Sequence, residues 1–140
     1  MQQVEHIGIA VKDLRQSILL FEKLFGDRCY KTEELKAQGV KTAFFKRGDT
    51  KIELLEDLKQ QGTISRFIDQ KGEGIHHIAF AVEDLKAEIK RLIEVGFIVV
   101  EPGPMPGADN KMVCFLHPKT TGGVLVELCM DRDKFLGIDF

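Results

Sequence analysis

The sequence predicts an α+β fold in which two tandem βαβββ modules form an incomplete barrel around one metal site. Three observations predict it: a ten-residue motif that occurs twice, a helical pattern after each copy, and ionisable residues at matching positions of predicted strands. The chain has 140 residues, a length that suits a single domain whose core needs no disulfides. We expect module 1 at about 1–62, module 2 at about 72–130 and a C-terminal tail at 131–140.

The repeated motif is the main organisational feature of the chain. The first copy, HIGIAVKDLR, begins at His6, and the second copy, HIAFAVEDLK, begins at His77, 71 residues later. A repeat of this length corresponds to one supersecondary unit, and two copies are too few for a solenoid, which usually needs about three or more. Each copy is rich in β-forming residues, so both modules are expected to open with a strand.

A helix is predicted after each of these strands. Asp13 and Asp84 occupy the position at which an aspartate caps the N-terminus of a helix. Gly26 and Gly96 follow where a left-handed C-terminal cap is expected. Between caps, apolar residues recur at spacings of three and four, as on one face of a helix: Leu14, Ile18, Phe21 and Phe25 in the first copy, and Leu85, Ile89, Leu92 and Ile93 in the second.

Further strands are expected to complete each module. The strand-like runs cover 28–33, 40–46 and 51–56 in module 1, and 97–101, 111–116 and 123–129 in module 2. A short helix at about 63–70 is expected to link the two modules. The segment 101–110 carries three prolines and two glycines, so we expect a loop there.

Composition excludes several classes of function. Hydrophobic residues make up 44% and charged residues 30% of the chain, and the formal net charge is −2, so no nucleic-acid footprint is present. No apolar run is long enough to cross a bilayer, and the N-terminus has the composition of neither a signal peptide nor a transit peptide. Cys29, Cys114 and Cys129 lack metal-site spacing and are expected to be reduced, with Cys114 and Cys129 in the core. We therefore expect a cytoplasmic protein.

Two histidines open equivalent strands. Because residues i and i+2 of a strand share a face, His6 lies on the face of Gly8 and Ala10, where small side chains leave space beside the imidazole. His77 has the same relation to Ala79 and Ala81. Both imidazoles are therefore expected to point the same way relative to their own module.

Two glutamates interrupt the apolar terminal strands of the modules. Glu53 lies in TKIELL and Glu127 lies in GVLVEL, 74 residues later. A carboxylate in such a strand is expensive to bury unless it is paired, hydrogen-bonded or bound to a metal. One such residue taken alone is more often structural or solvated; the set of four at repeat-equivalent positions is what favours a functional site.

Pseudo-twofold symmetry of the modules would bring His6, Glu53, His77 and Glu127 around one axis. Two imidazoles and two carboxylates suit a divalent ion such as Zn²⁺, Co²⁺, Ni²⁺ or Mn²⁺, and their spacing does not distinguish among these metals. Four protein ligands on an octahedral ion leave two adjacent positions, which a substrate with two oxygens could chelate.

Four segments carry a resemblance to a known family. HIGIAVKDL, GDTKIELLE, KGEGIHHIAFAVEDL and FLHPKTTGGVLVELC resemble the methylmalonyl-CoA epimerases of the vicinal-oxygen-chelate superfamily, which includes the glyoxalases and bleomycin-resistance proteins. The resemblance extends from about Val4 to Met130. It implies paired βαβββ modules, a homodimer and a divalent metal held at His6, Glu53, His77 and Glu127. It also implies interconversion of (2R)- and (2S)-methylmalonyl-CoA, an acyl-CoA substrate, through a metal-stabilised enolate.

The sequence departs from the family pattern at two places. Some members have a glutamate, proposed as a catalytic base, at the position of Thr42, and a threonine cannot act as that base. A loop that often carries histidine reads Gly-Ala-Asp-Asn-Lys at 107–111. Because the acid at Thr42 is missing, we expect Glu53 and Glu127 to serve as the two bases, one for each face of the reacting carbon.

Two other functions are compatible with the same fold. A glyoxalase I-like lactoylglutathione lyase would use the same metal and a similar glutamate pair on a glutathione hemithioacetal. A non-enzymatic protein that binds small molecules such as antibiotics would work without a metal and would not need all four ligand positions. Fold alone does not choose among them.

Overall fold

The computed structural model describes residues 1–138, and the last two residues of the predicted tail lie outside the described residues. The chain divides into two compact units, His6–His76 and a second unit made of Met1–Glu5 together with the chain from His77 onward. Both units show the predicted strand–helix–strand–strand–strand order. The prediction that they make up a single domain stays a prediction.

The unit His6–His76 contains a four-stranded mixed sheet with the order β2-β3-β4-β1. Strand β1 runs parallel to β4, and β3 pairs antiparallel with β2 and β4. The elements are β1 (Val4–Ala10), α1 (Leu14–Phe25), β2 (Lys31–Leu35), β3 (Val40–Arg47), β4 (Thr50–Asp57) and α2 (Thr63–Lys71). The predicted linking helix is therefore present as α2.

The other unit has the strand order β5-β8-β7-β6, with β5 parallel to β8 and β7 antiparallel to β6 and β8. A short 3₁₀ helix precedes β8. The elements are β5 (Gly74–Ala81), α3 (Leu85–Glu94), β6 (Met105–Pro106), β7 (Lys111–Leu116), the 3₁₀ helix Pro118–Thr120, β8 (Val126–Asp131) and α4 (Arg132–Phe135).

The two repeated aspartates cap their helices as predicted. The Asp13 carboxylate accepts a hydrogen bond from the backbone N–H of Gln16 at 3.1 Å, and Asp84 accepts one from Ala87 at 3.1 Å. Each bond satisfies an N–H group that the first helical turn would otherwise leave unpaired. Gly26 has a φ of 66° and ends α1 in the left-handed conformation expected of a C-terminal glycine.

Each sheet buries one face against its long helix. In the first unit the buried cluster under α1 joins Val11 and Leu14, the first residue of α1, to alternate residues of β3 and to one residue of β4: Ala43, Phe45 and Leu54. In the second unit α3 packs on alternate residues of β7 and β8, including Cys114, Leu116, Leu128 and Met130. Because side chains alternate along a strand, the residues between these point to the opposite face, and that face carries the histidines and glutamates.

The second module departs from the predicted strands at two places. The expected strand 97–101 is reduced to a single bridge between Val99 and Leu116, because a turn that brings the Gly103 N–H to the Val100 carbonyl ends the pairing. The segment predicted as a loop instead contributes β6, which pairs with Val113 and Met112. Strand β8 begins at Val126 rather than at 123, since Gly122 and Gly123 adopt positive φ in the preceding turn.

The three cysteines are reduced, and Cys114 and Cys129 are buried as predicted. Burial, with a smaller contribution from the charge of Glu101, raises the pKa of the Cys114 thiol to about 11. Cys29 is half-buried, and its thiol donates to the Lys31 carbonyl oxygen at 3.3 Å. Among the described helices, none combines the length and the apolar character that a bilayer crossing requires.

Helix α2 is capped by a side chain from the preceding strand. Its N-cap residue, Gly62, has no side chain to offer, and the carboxylate of Asp57 accepts hydrogen bonds from the N–H groups of Ile64 at 3.1 Å and Ser65 at 2.7 Å. A Cβ at Gly62 would lie 2.7 Å from Asp57 Cγ, so glycine is required for this approach. Asp57 therefore fixes α2 to the end of β4.

Replacing Asp57 with alanine should lower the free energy of unfolding by about 1–3 kcal/mol, because two N–H groups of α2 lose their charged acceptor. Urea denaturation followed by circular dichroism measures the change. Asp69→Ala, at an exposed position of α2, is the matched control and should shift stability by no more than about 0.5 kcal/mol. Equal effects of the two substitutions would contradict the capping role.

Thiol reactivity should separate the three cysteines. At neutral pH Ellman's reagent is expected to titrate Cys29 in the native protein, and Cys114 and Cys129 should react only after unfolding, because they are buried and the Cys114 thiol stays protonated below pH 11 or so. Cys29→Ser should abolish the native-state reaction. Rapid native reaction in that variant would show that the core around β7 and β8 opens readily.

Candidate metal centre

The first unit contains a buried histidine–glutamate pair. In the register of β1 and β4, Gly8 lies opposite Glu53, so His6 lies two residues away on the same face. Nε2 of His6 and Oε1 of Glu53 are 3.4 Å apart, and the side chains are 7% and 5% exposed. Opposite Glu53 stands glycine, the smallest residue, which leaves room for the two polar side chains.

The second unit contains an equivalent pair. Ala79 of β5 lies opposite Glu127 of β8, and His77 is two residues away on the same face. Nε2 of His77 and Oε1 of Glu127 are 3.4 Å apart, and the side chains are 3% and 6% exposed. The two pairs therefore have the same strand context, the same distance and the same burial, as the sequence repeat predicts.

Each glutamate also faces a phenylalanine across the adjacent antiparallel strand. Phe44 of β3 lies opposite Glu53, and Phe115 of β7 lies opposite Glu127. The ring of Phe115 meets the imidazole of His77 edge to face, with a centroid distance of 5.9 Å. These rings exclude water from one side of each carboxylate, which strengthens its electrostatic interactions.

The donor atoms of each pair fit a divalent metal ion. Zinc binds imidazole nitrogen and carboxylate oxygen at about 2.0–2.2 Å, so two such ligands on one ion lie about 3.0 Å apart in octahedral and about 3.4 Å apart in tetrahedral geometry. The observed 3.4 Å between Nε2 and Oε1 falls in this range in both units. A buried carboxylate also needs a nearby positive charge, which an ion would supply.

Thr42 lies on the same face of the first unit as Glu53. It is opposite Leu55 in the pairing of β3 and β4, two residues along from the pair of Phe44 with Glu53. Its side chain is fully buried, and within the described part of the chain its Oγ1 has no hydrogen-bond partner. The sequence singles out Thr42 only because some family members have a carboxylate at this position. Whether its hydroxyl has a hydrogen-bond partner can be determined only from the structure.

The C-terminal tail, for which the sequence predicts no structure, binds the loop before β7. Arg132 donates from Nη2 to the Gly107 carbonyl oxygen at 3.2 Å, and its backbone N–H donates to the Asn110 carbonyl oxygen at 2.9 Å. Asp109 and Asn110 adopt positive φ values of 59° and 56°, which aspartate and asparagine tolerate better than most residues. Loop and tail are thus one connected structure.

A cavity of about 490 Å³ opens in the second unit at the far end of β5 and β8. Cys129 and Asp131, which line it, alternate with Glu127 along β8 and so lie on the same face. Lys111 forms an ion pair with Asp131 at 2.7 Å at its rim. The volume is sufficient for the acyl portion of a substrate.

The remaining histidines, His76 and His117, have structural contacts. His76 meets the ring of Phe67 edge to face at 4.9 Å. His117 accepts the backbone N–H of Lys119 at Nδ1, at 3.2 Å, and thereby caps the 3₁₀ helix.

Comparisons with known proteins agree with this geometry. The sequence profile of the Glyoxalase/Bleomycin resistance protein/Dioxygenase superfamily matches residues 5–115. The ethylmalonyl-CoA/methylmalonyl-CoA epimerase of Cereibacter sphaeroides is 38% identical over 128 residues, which is 90% of this chain and 96% of that protein. The mitochondrial methylmalonyl-CoA epimerase of Dictyostelium discoideum is 36% identical over 127 residues, which is 90% of this chain and 76% of that protein.

The fold is also similar to solved structures. A variant of Streptomyces coelicolor methylmalonyl-CoA epimerase in complex with 2-nitronate-propionyl-CoA aligns with a TM-score of 0.86 at 31% identity, covering 94% of this chain and 95% of that one. The predicted α+β, glyoxalase-like fold is therefore confirmed.

Proposed function

Because this chain belongs to the methylmalonyl-CoA epimerases of the Glyoxalase/Bleomycin resistance protein/Dioxygenase superfamily, we propose that it interconverts (2R)- and (2S)-methylmalonyl-CoA with one divalent metal ion. As a member of this family it is an isomerase of the racemase and epimerase class. The observation that carries the proposal is the buried histidine–glutamate pair that occurs in each of the two units with the same 3.4 Å distance.

The proposed ligands are His6, Glu53, His77 and Glu127. In each unit the histidine and the glutamate present a nitrogen and an oxygen 3.4 Å apart, a spacing that two ligands of one ion can have. Imidazole and carboxylate donors accept Co²⁺, Zn²⁺, Mn²⁺ or Ni²⁺, so the donor set leaves the choice of metal open. When bound, the ion supplies Lewis-acid stabilisation of negative charge on substrate oxygens.

The side chains of this protein would carry out the proton transfer. The reacting carbon lies between a thioester carbonyl and a carboxylate, and its proton must leave from one face and return to the other. We propose that Glu53 and Glu127 are the two bases and that one or both leave the ligand set when substrate binds. One carboxylate removes the proton, and the carboxyl group of the other returns a proton to the opposite face. Both are buried carboxylates at repeat-equivalent positions, and an exchange that uses two bases needs two such groups.

A cavity beside β8 could admit the acyl portion of a substrate. Ala81 and Cys129 line it, together with Lys111 and Lys134 and the acidic Glu5, Glu83 and Asp131. Small and apolar residues fit an acyl chain. A protein that only sequesters small molecules would need neither histidine–glutamate pair, and both are present.

Two further expectations belong to the proposal. Leu19, Leu20 and Leu24 of α1 are 61–68% exposed, and burial of such residues against a second copy would remove apolar surface from water. We accordingly expect a homodimer, as in the family. Cytoplasmic localisation likewise stays a prediction.

Incubation of the metal-loaded protein with methylmalonyl-CoA in D₂O should replace the α-hydrogen with deuterium and remove stereochemical purity, since proton return occurs from solvent-exchangeable carboxylates. Proton NMR and chiral analysis of the acyl group follow the two changes. EDTA treatment should stop both. Glu53→Gln and Glu127→Gln should each lower exchange by at least about 100-fold, in the range of a lost general base.

Glu94→Gln, at an exposed position of α3, is the control and should exchange like the wild type. A Glu53 or Glu127 variant that keeps near-wild-type exchange would show that this residue is not a required base. Absence of exchange in wild-type protein with bound metal would reject the epimerase proposal and favour chemistry on a glutathione hemithioacetal.

Metal binding should be visible in stability without any substrate. Addition of Zn²⁺ or Co²⁺ is expected to raise the Tm of the wild type, because an ion that binds only the folded state stabilises it. In metal-free protein Glu127→Gln should be as stable as the wild type or more stable by up to about 3 kcal/mol, since a neutral amide is less costly to bury than a carboxylate.

In the same variant the metal-induced rise in Tm should be much smaller, whereas Glu94→Gln should respond like the wild type. Differential scanning calorimetry with and without metal measures both effects. An unchanged metal response in Glu127→Gln would remove Glu127 from the proposed ligands.

A further inference from the structure

The hydroxyl of Thr42 is a buried polar group that the fold does not use. The residue is 0% exposed, and no hydrogen-bond partner of Oγ1 occurs among residues 1–138. Buried polar side-chain atoms nearly always have such a partner, because leaving one unsatisfied costs free energy. Such an exception calls for an explanation, and a hydrogen bond to a bound ligand is one that the surroundings of Thr42 can test.

The position of Thr42 on its strand directs it toward the polar face. Its neighbours Ala43 and Phe45 belong to the cluster under α1. Thr42 therefore shares the other face with Phe44, and the antiparallel register places it diagonally from Glu53. The hydroxyl and the buried carboxylate thus occupy neighbouring positions of the same sheet surface.

The second copy of the repeat shows what the position needs for packing. Val113 follows Thr42 by 71 residues, the offset of the repeat, and lies on β7 as Thr42 lies on β3. It is 3% exposed and packs with Ala79 and Cys129. Valine and threonine have nearly the same shape, so an apolar methyl group satisfies the packing in one copy. The hydroxyl in the other copy is therefore not explained by packing.

From these observations we infer that Thr42 binds the substrate, by donating a hydrogen bond from its hydroxyl to an oxygen of the acyl group. This inference rests on the proposed function and assigns one contact within it. The acceptor is the free carboxylate or the thioester oxygen, the polar atoms of the acyl portion. A threonine hydroxyl is not a base at neutral pH, so Thr42 orients the acyl group while the carboxylates exchange the proton.

Thr42→Val tests the inference, because it removes the hydroxyl and keeps the shape that Val113 already shows to be compatible with the fold. The variant should have an equal or higher Tm than the wild type, since no polar atom is left unsatisfied. Its kcat/KM for α-hydrogen exchange in D₂O should fall by roughly 10- to 100-fold, the range expected for a hydrogen bond to a charged acceptor. Thr42→Ser should recover activity to within about threefold.

Thr32→Val is the matched control, the same substitution at an exposed position of β2, and should leave kcat/KM within about twofold. Titration calorimetry with malonyl-CoA, which carries the same two oxygen groups, should show weaker binding to Thr42→Val than to the wild type. If Thr42→Val folds poorly by circular dichroism, Thr42→Ala provides a second removal of the hydroxyl.

A more stable Thr42→Val variant that keeps kcat/KM and malonyl-CoA affinity within about twofold of the wild type would overturn the inference. Failure of the proposed function appears elsewhere, as absence of exchange in the wild-type protein itself. The ratio of kcat/KM between Thr42→Val and the wild type tests the role of the hydroxyl. The exchange rate of the wild type tests the proposed epimerase activity.

Discussion

The structure depends on the placement of a carboxylate beside an imidazole in the buried face of a sheet. A lone buried carboxylate is strongly unfavourable, whereas one within 3.4 Å of an imidazole in each unit can be accommodated when a cation joins it. The residues around each glutamate follow from this placement. Glycine or alanine lies opposite the glutamate on one neighbouring strand, a phenylalanine lies opposite it on the other, and the long helix covers the other face of the sheet.

Features with local or repeated signals were predictable from the sequence. The aspartate caps, Gly26 and the helix periodicity are local rules, and the two histidines and two glutamates were found because the repeat places them twice. The strand at 97–101 and β6 were not predicted correctly, since pairing with β7 is decided by tertiary contacts rather than by propensity. The cap from Asp57 to α2 also spans a turn that no short motif specifies.

The two copies of the repeat share their polar pairs and differ around them. Thr42 occupies the position that Val113 occupies in the second copy, and Asp57, which caps α2, corresponds to Asp131, which pairs with Lys111. The surface beside Glu53 therefore carries a hydroxyl where the surface beside Glu127, on which Ala79, Val113 and Cys129 pack together, carries a methyl group. The two copies of the repeat thus give equivalent glutamates unlike surroundings.

The connection from Arg132 to the loop 107–110 has a consequence for divergence within such proteins. Because one side chain and one backbone N–H of the tail bind carbonyl oxygens at both ends of that loop, a change in loop length would leave the tail helix without its acceptors. Phe135 of the same helix packs against the α3 core, so the helix has little freedom to follow. Insertions in the loop and substitutions in the tail should therefore have been inherited together, and grafting a relative's loop onto this chain should require grafting its tail as well.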